Sequence, residues 1–157
     1  GDTGTLLRAC GANPASIPGT YKKVISPSGN GTFSFSSSLT GSSHWLIVRH
    51  RNSIETWSAS PVNFNSATLS YDFTDLITRA YGNNLVNNGD NTFSIRSGDV
   101  NQDGAINSTD FSTIQSAAQV FGTGYILTDI NGDRIAESTD YSLIENNVFL
   151  NILSLHP

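Results

Sequence analysis

The chain has 157 residues, a formal net charge of −5 and only 13% charged side chains. That length can bury a core as one medium domain or two small ones. The sparse charge, with abundant Ser, Thr, Asn and Gly, excludes the highly charged kind of disorder and suits a β-rich extracellular surface. The charge is unevenly placed: residues 1–96 carry seven basic and five acidic side chains, residues 97–157 one basic and eight acidic. No basic stripe interleaved with aromatics occurs, so nucleic acid is excluded as a partner. No apolar run is long enough to insert into a membrane. Met is absent, including at position 1, and a processed, secreted mature chain is the expectation.

In chain order, residues 1–20, "GDTGTLLRACGANPASIPGT", read as an N-terminal arm or irregular edge, with Cys10 as the only cysteine. One cysteine permits no internal disulfide; it is a small buried apolar residue or an intermolecular thiol. Strand signals follow over Thr20–Ser26, Gly31–Ser37, His44–His50, Ser53–Ser60 and Ser66–Phe73, rich in β-branched and aromatic residues and punctuated by Gly, Ser, Asn and Pro. Within Gly31–Ser37 the alternation puts Phe33 and Phe35 on one face. Short strands at this spacing predict an antiparallel β-sandwich over residues 21–97. Tyr81–Thr92 reads as a polar loop and Phe93–Arg96 as a last strand.

From Asp99 the rhythm changes. "DVNQDGAINSTD" (Asp99–Asp110) returns thirty residues later as "DINGDRIAESTD" (Asp129–Asp140), each followed by a helical apolar face: Phe111, Ile114, Ala118 and Phe121 in the first, Tyr141, Ile144 and Val148 in the second. Calcium requires six to eight oxygens at roughly 2.3–2.6 Å, which a twelve-residue loop presents from positions 1, 3, 5, 7, 9 and 12. The first loop offers Asp99, Asn101, Asp103, the carbonyl of Ala105, Asn107 and Asp110; the second offers Asp129, Asn131, Asp133, the carbonyl of Ile135, Glu137 and Asp140. Two calcium ions are therefore expected. Gly104 stands at the sixth position, where a left-handed residue is favoured, while Arg134 takes that place in the second loop. The helices are expected to pack together with the loops back to back.

"GDVNQDGAINSTDFSTI" and "TDINGDRIAESTDYSLI" resemble the duplicated segment of type I dockerins, the calcium modules that join enzymes to scaffold proteins. The resemblance implies a small α-helical pair of calcium loop–helix motifs over residues 98–157, with no full entering helix. It also implies a protein partner recognised through loop positions ten and eleven, here Ser108-Thr109 and Ser138-Thr139. The basic residues that dockerins commonly carry further along the helix are missing from both repeats. "HWLIVRHRNSIETWSASPVNF", together with the tandem loops, is similar to C-terminal regions of secreted surface proteins of the Bacteroidetes type, in which such a strand precedes a dockerin-like pair.

No nucleophile elbow, phosphate loop, CxxC or HExxH occurs, and an enzyme is not expected. "RHRN" (Arg49–Asn52) either grips a glycan or carboxylate on a partner, or meets acidic neighbours in the β region or the acidic C-terminal part. Trp45, Trp57 and Tyr71 are either a sugar-stacking platform or core. Three functions remain in competition. The first is a non-catalytic secreted calcium module for extracellular attachment or assembly with a protein partner. The second is a subunit that polymerises with copies of itself into a filament or surface layer, and the third is a carbohydrate-binding module.

Overall fold

The computed structural model describes residues 2–26 and 28–157; Gly1, the first residue of the expected arm, and Pro27 lie outside the described residues. The chain divides into two units: Gly1–His50 with Glu55–Ile95 and Leu155–Pro157, and Arg51–Ile54 with Arg96–Ser154.

The first unit is built on one antiparallel sheet. Its strands are β1 (Asp2–Cys10), β2 (Gly19–Ile25), β3 (Ser43–Arg49), β4 (Thr56–Trp57) and β5 (Val62–Asn63). The order is β2-β1-β3-β4, with β5 also on β3. The segment expected as an arm is therefore a strand in the middle of the sheet, pairing Leu6 with Tyr21 on one side and with Val48 on the other. Its apolar run lacks alternation because both faces are covered. Leu7 and Ala9 pack with Trp45, Ile47 and Trp57, whereas Leu6 packs with Leu46 and Phe64. Burying each such large side chain contributes about 1.5–3 kcal/mol before chain entropy is counted.

The expected sandwich differs in its second layer. Among the described residues Gly31–Ser37 and Ser66–Phe73 form no strand. Phe33 and Phe35 still share a destination: both lie over the Leu6 face, with Phe35 edge-on to Tyr21 (4.7 Å) and to Phe64 (5.1 Å). Aromatic side chains from loops thus cover a face that a second sheet would have covered, leaving the serine-rich backbone between them unpaired with the sheet. Within the expected polar loop, β6 (Leu85–Asn87) pairs with β7 (Phe93–Ile95), because Leu85 has an apolar site to fill and is 1% exposed.

Trp45 and Trp57 are core, edge-on at 6.0 Å, which removes the sugar-platform reading for them; the Tyr71 hydroxyl donates to the Arg79 carbonyl (2.6 Å). Arg8 is buried on the Leu46 side of the sheet and donates to His44 Nδ1 at 3.0 Å. Burial holds the His44 imidazole below its ordinary value, and the Arg8 charge adds to that effect. Cys10 is half-buried and free. Arg49 pairs with Glu55, as one of the two readings of "RHRN" expected.

The second unit carries both acidic loops, α1 (Ser108–Gln119) and α2 (Ser138–Phe149), and a short pair of β8 (Ala105–Ile106) with β9 (Ile152–Leu153). The helices pack through one cluster in which Ile114 and Ile144, both 0% exposed, meet Val100, with Phe111, Ile130, Tyr141 and Val148 around them. Phe111 and Tyr141 hold the same repeat position and meet edge-on at 5.7 Å. Phe121, expected on this face, is 67% exposed. The helix ends at Gln119 and Phe121 turns left-handed (φ 49°), which rotates its side chain off the apolar stripe. Gly98 stands at φ 125°, and a Cβ there would lie 2.9 Å from Ile106 and 3.0 Å from Ile144. Only glycine combines that backbone with that closeness.

Candidate metal centre

Each loop begins with a buried carboxylate that gathers backbone amides. Asp99 accepts from Asp103 N (3.1 Å) and Gly104 N (3.2 Å), one on each oxygen. Asn101 accepts from Asp103 N (3.0 Å) and donates to the Asp103 carboxylate (2.8 Å). Asp103 in turn accepts from Ala105 N (2.9 Å). Asp110, 0% exposed, closes the ring: it accepts from Val100 N (3.0 Å) and Asn107 N (3.0 Å), so the start of the loop and the start of α1 share one carboxylate. Asn107 caps that helix by accepting from Thr109 N (2.8 Å).

The second loop repeats most of these bonds thirty residues on, with Gly132 N in place of the Asp133 amide at the first carboxylate. Asp129 accepts from Gly132 N (2.8 Å) and Arg134 N (3.1 Å). Asn131 accepts from Asp133 N (2.8 Å), and Asp133 accepts from Ile135 N (2.9 Å). Asp140 ties Ile130 N (2.7 Å) to Glu137 N (2.8 Å). Glu137 differs from its counterpart Asn107: its carboxylate accepts from the Thr139 hydroxyl (3.1 Å).

Two positions of each loop are left-handed, and only one was legible in the sequence. In the first loop they are Gln102 (φ 58°) and Gly104 (φ 87°); in the second, Gly132 (φ 83°) and Arg134 (φ 76°). Each loop therefore has one glycine and one strained residue, in opposite order. Gln102 is held there by donating to the Asp99 carbonyl (2.6 Å) and the Ser53 carbonyl (3.1 Å).

The expected back-to-back pairing takes a crossed form. Ala105 and Ile106 of the first loop pair with Leu153 and Ile152, which follow α2. Ile135 of the second bridges to Thr123, which follows α1. Ser154 N donates to Gly104 O (2.7 Å), and Gly124 N to Arg134 O (2.9 Å) at the same repeat positions. Each loop is thus braced by the segment leaving the other loop's helix.

The chemistry of this donor set suits a hard, oxygen-seeking cation. Among the described residues no three or more His, Cys, Asp or Glu side chains converge as a metal cage. Each loop instead gathers side-chain carboxylate and amide oxygens, of the kind calcium takes. A carboxylate that accepts two backbone amides keeps lone pairs for a cation. Electrostatics also leave room for one. Burial pushes the Asp99 carboxyl up to about 6, with the nearby Asp110 and Asp103 charges adding to the shift. Without metal, the folded loop binds that proton more tightly than the unfolded chain does. Its stabilising contribution is full below pH 4, the ordinary carboxylate range, and is lost as pH rises through 6. A cation requires the ionised form. Calcium affinity of the first loop is therefore expected to rise steadily from pH 5 to pH 7, a window set by Asp99 at about 6, in titrations at fixed ionic strength.

Sequence reasoning did not assign "RNSI" (Arg51–Ile54) to this unit. Asn52 donates through Nδ2 to the Asp129 carbonyl (2.9 Å), and its own carbonyl accepts from Gly98 N (2.7 Å). Ile54 N donates to Arg96 O (2.9 Å). Arg51 lies 3.6 Å from the Asp129 carboxylate, donates to the Ile126 carbonyl and stacks on Tyr125 at 4.7 Å.

Residues 97–149 match the model of the dockerin type I domain, about a third of the chain. Dockerin type I domains are calcium-binding, non-catalytic protein–protein interaction modules that bind cohesin partners and occur in extracellular or cell-surface proteins. No curated protein and no solved structure matches the chain. Among the described residues no helix is long and apolar enough to cross a membrane.

Proposed function

We propose that this chain is a non-catalytic secreted module whose two loops each hold one calcium ion, and that the resulting helix pair attaches it to a protein partner outside the cell. The ligands are Asp99, Asn101, Asp103, Ala105 O, Asn107 and Asp110 in the first loop, and Asp129, Asn131, Asp133, Ile135 O, Glu137 and Asp140 in the second. The shared bonding of the two loops carries this reading: the carboxylate at position 12 ties the second residue of its loop to the helix start in both, and positions 3 and 5 bond alike. The match over residues 97–149 supports it. At extracellular calcium levels, sites as weak as roughly 10⁻⁴–10⁻³ M are already filled. Calcium is then a permanent staple rather than a signal.

The partner surface is the exposed first turn of each helix, Ser108-Thr109 and Ser138-Thr139. Along α1 it continues as a shallow groove lined by Ser108, Thr109, Ser112, Thr113 and Ser116. Ser112, Thr113 and Ser116 return their hydroxyls to their own helix, at 2.8, 2.8 and 2.7 Å, so the face is small and uncharged. A partner meets it by shape and neutral hydrogen bonds, not by ion pairing. Calorimetry against a panel of cohesin domains tests this. Binding that disappears with chelator and in Thr109→Asp, Thr139→Asp is expected. Binding indifferent to both would contradict the reading.

Polymerisation through a sheet edge is less favoured. The seven-residue edge strand β2 carries Lys22 and Lys23, charges of the kind that discourage strand addition.

A further inference from the structure

The two loops have matching ligand patterns but unequal charge. The first carries three carboxylates among its ligand positions, Asp99, Asp103 and Asp110; the second carries four, Asp129, Asp133, Glu137 and Asp140. A fourth negative charge within one metal-free loop adds like-charge repulsion, and a cation stands beside the first carboxylate of that loop. The Arg51 guanidinium, its side chain 8% exposed, sits 3.6 Å from the Asp129 carboxylate, which is 2% exposed. Its position is fixed on two further sides, by the Ile126 carbonyl and by the Tyr125 ring. The neighbouring Asn52 holds the Asp129 backbone through its carbonyl.

The first loop has no such arrangement. Among the described residues no cation pairs with Asp99; the corresponding support is the neutral amide of Gln102. Arg134, the other cation of the second loop, is exposed and forms no ion pair among the described residues. The difference between the loops therefore lies in a residue 78 positions before Asp129 in sequence, outside the matched segment 97–149.

We infer that Arg51 is a resident cation of the second loop: it holds Asp129 in place when calcium is absent and competes with calcium for that carboxylate when it is present. A guanidinium and a divalent ion drawn to one shielded carboxylate repel each other far more than they would in water. The second loop consequently keeps its shape without metal better than the first, and gives up affinity for doing so. This rests on the calcium reading above and goes beyond it, since that reading assigns no role to residues before Gly98.

The test uses the full chain with calcium alone as the probe. Amide resonances of Gly104 and Arg134, which bond to Asp99 and Asp129, report the two loops separately. The titration is run by chelator competition from the loaded state. Arg51→Gln is expected to tighten calcium at the second loop about tenfold and to leave the first within about twofold. In the metal-free chain it should also lose amide protection at Gly132 and Arg134. Arg51→Lys, which keeps the charge without the planar fork, should stay within about threefold of the native affinity. An Arg51→Gln second loop of unchanged or weaker affinity overturns the inference, as does an Arg51→Lys chain that tightens as much as Arg51→Gln. Absence of binding at both loops of the native chain would bring down the calcium reading itself, and is distinguishable from either.

Discussion

Chelating calcium is expected to lower the thermal midpoint of residues 96–154 by about 10–20 °C. A ligand present at a hundred times its dissociation constant stabilises the folded state by about 2.7 kcal/mol, and each kcal/mol moves the midpoint of a domain of this size by about 4–8 °C. The physical cause lies in the loops. Asp99, Asp110, Asp129 and Asp140 are all at most 2% exposed. Their amide partners satisfy their hydrogen bonding, and of the four only Asp129 has a cation beside it among the described residues. Amide intensities for Gly104 and Ile114, followed against temperature with and without chelator, isolate this unit from the rest of the chain. Coincident melts would show that the loops do not depend on the ion.

Ile114→Ala is expected to cost about 2–5 kcal/mol, the range for removing a fully buried Ile side chain from a packed site. Ile114 is 0% exposed and packs in one cluster with its repeat counterpart Ile144. The shrunken side chain leaves a void between two helices of twelve residues each, and the unit has little other core to absorb it. Denaturant unfolding of the calcium-loaded chain reads the loss. Leu143→Ala, on an exposed position of α2, is the control and should shift stability by less than about 0.5 kcal/mol. Equal effects from both would mean that the helices are not packed as described.

The parts of the molecule that the sequence disclosed share one property: their pattern is local. The acidic repeat of Asp99–Asp110 and Asp129–Asp140 lies within twelve residues each, and the apolar faces of α1 and α2 follow immediately. What escaped is set by distant partners. The strand β1 gives no alternating signal because Leu6 and Leu7 are buried on opposite faces. Ser66–Phe73 has strand-like composition, yet among the described residues no neighbouring strand pairs with it. For Arg49–Asn52 the sequence offered an acidic neighbour in the β region or in the C-terminal part but could not say which residue; Asp129, 77 residues beyond Asn52, is named only by the fold. The crossed bracing of the loops was illegible for the same reason: Ile152 and Leu153 acquire their place from Ile106 and Ala105.

The most direct measurement is an isothermal calcium titration of the full chain, repeated with Asp99→Ala and with Asp129→Ala. Two ions bound per native chain are expected, with each substitution abolishing one and sparing the other. A native chain that takes up no calcium at millimolar concentration, or whose uptake survives both substitutions together, would contradict the account.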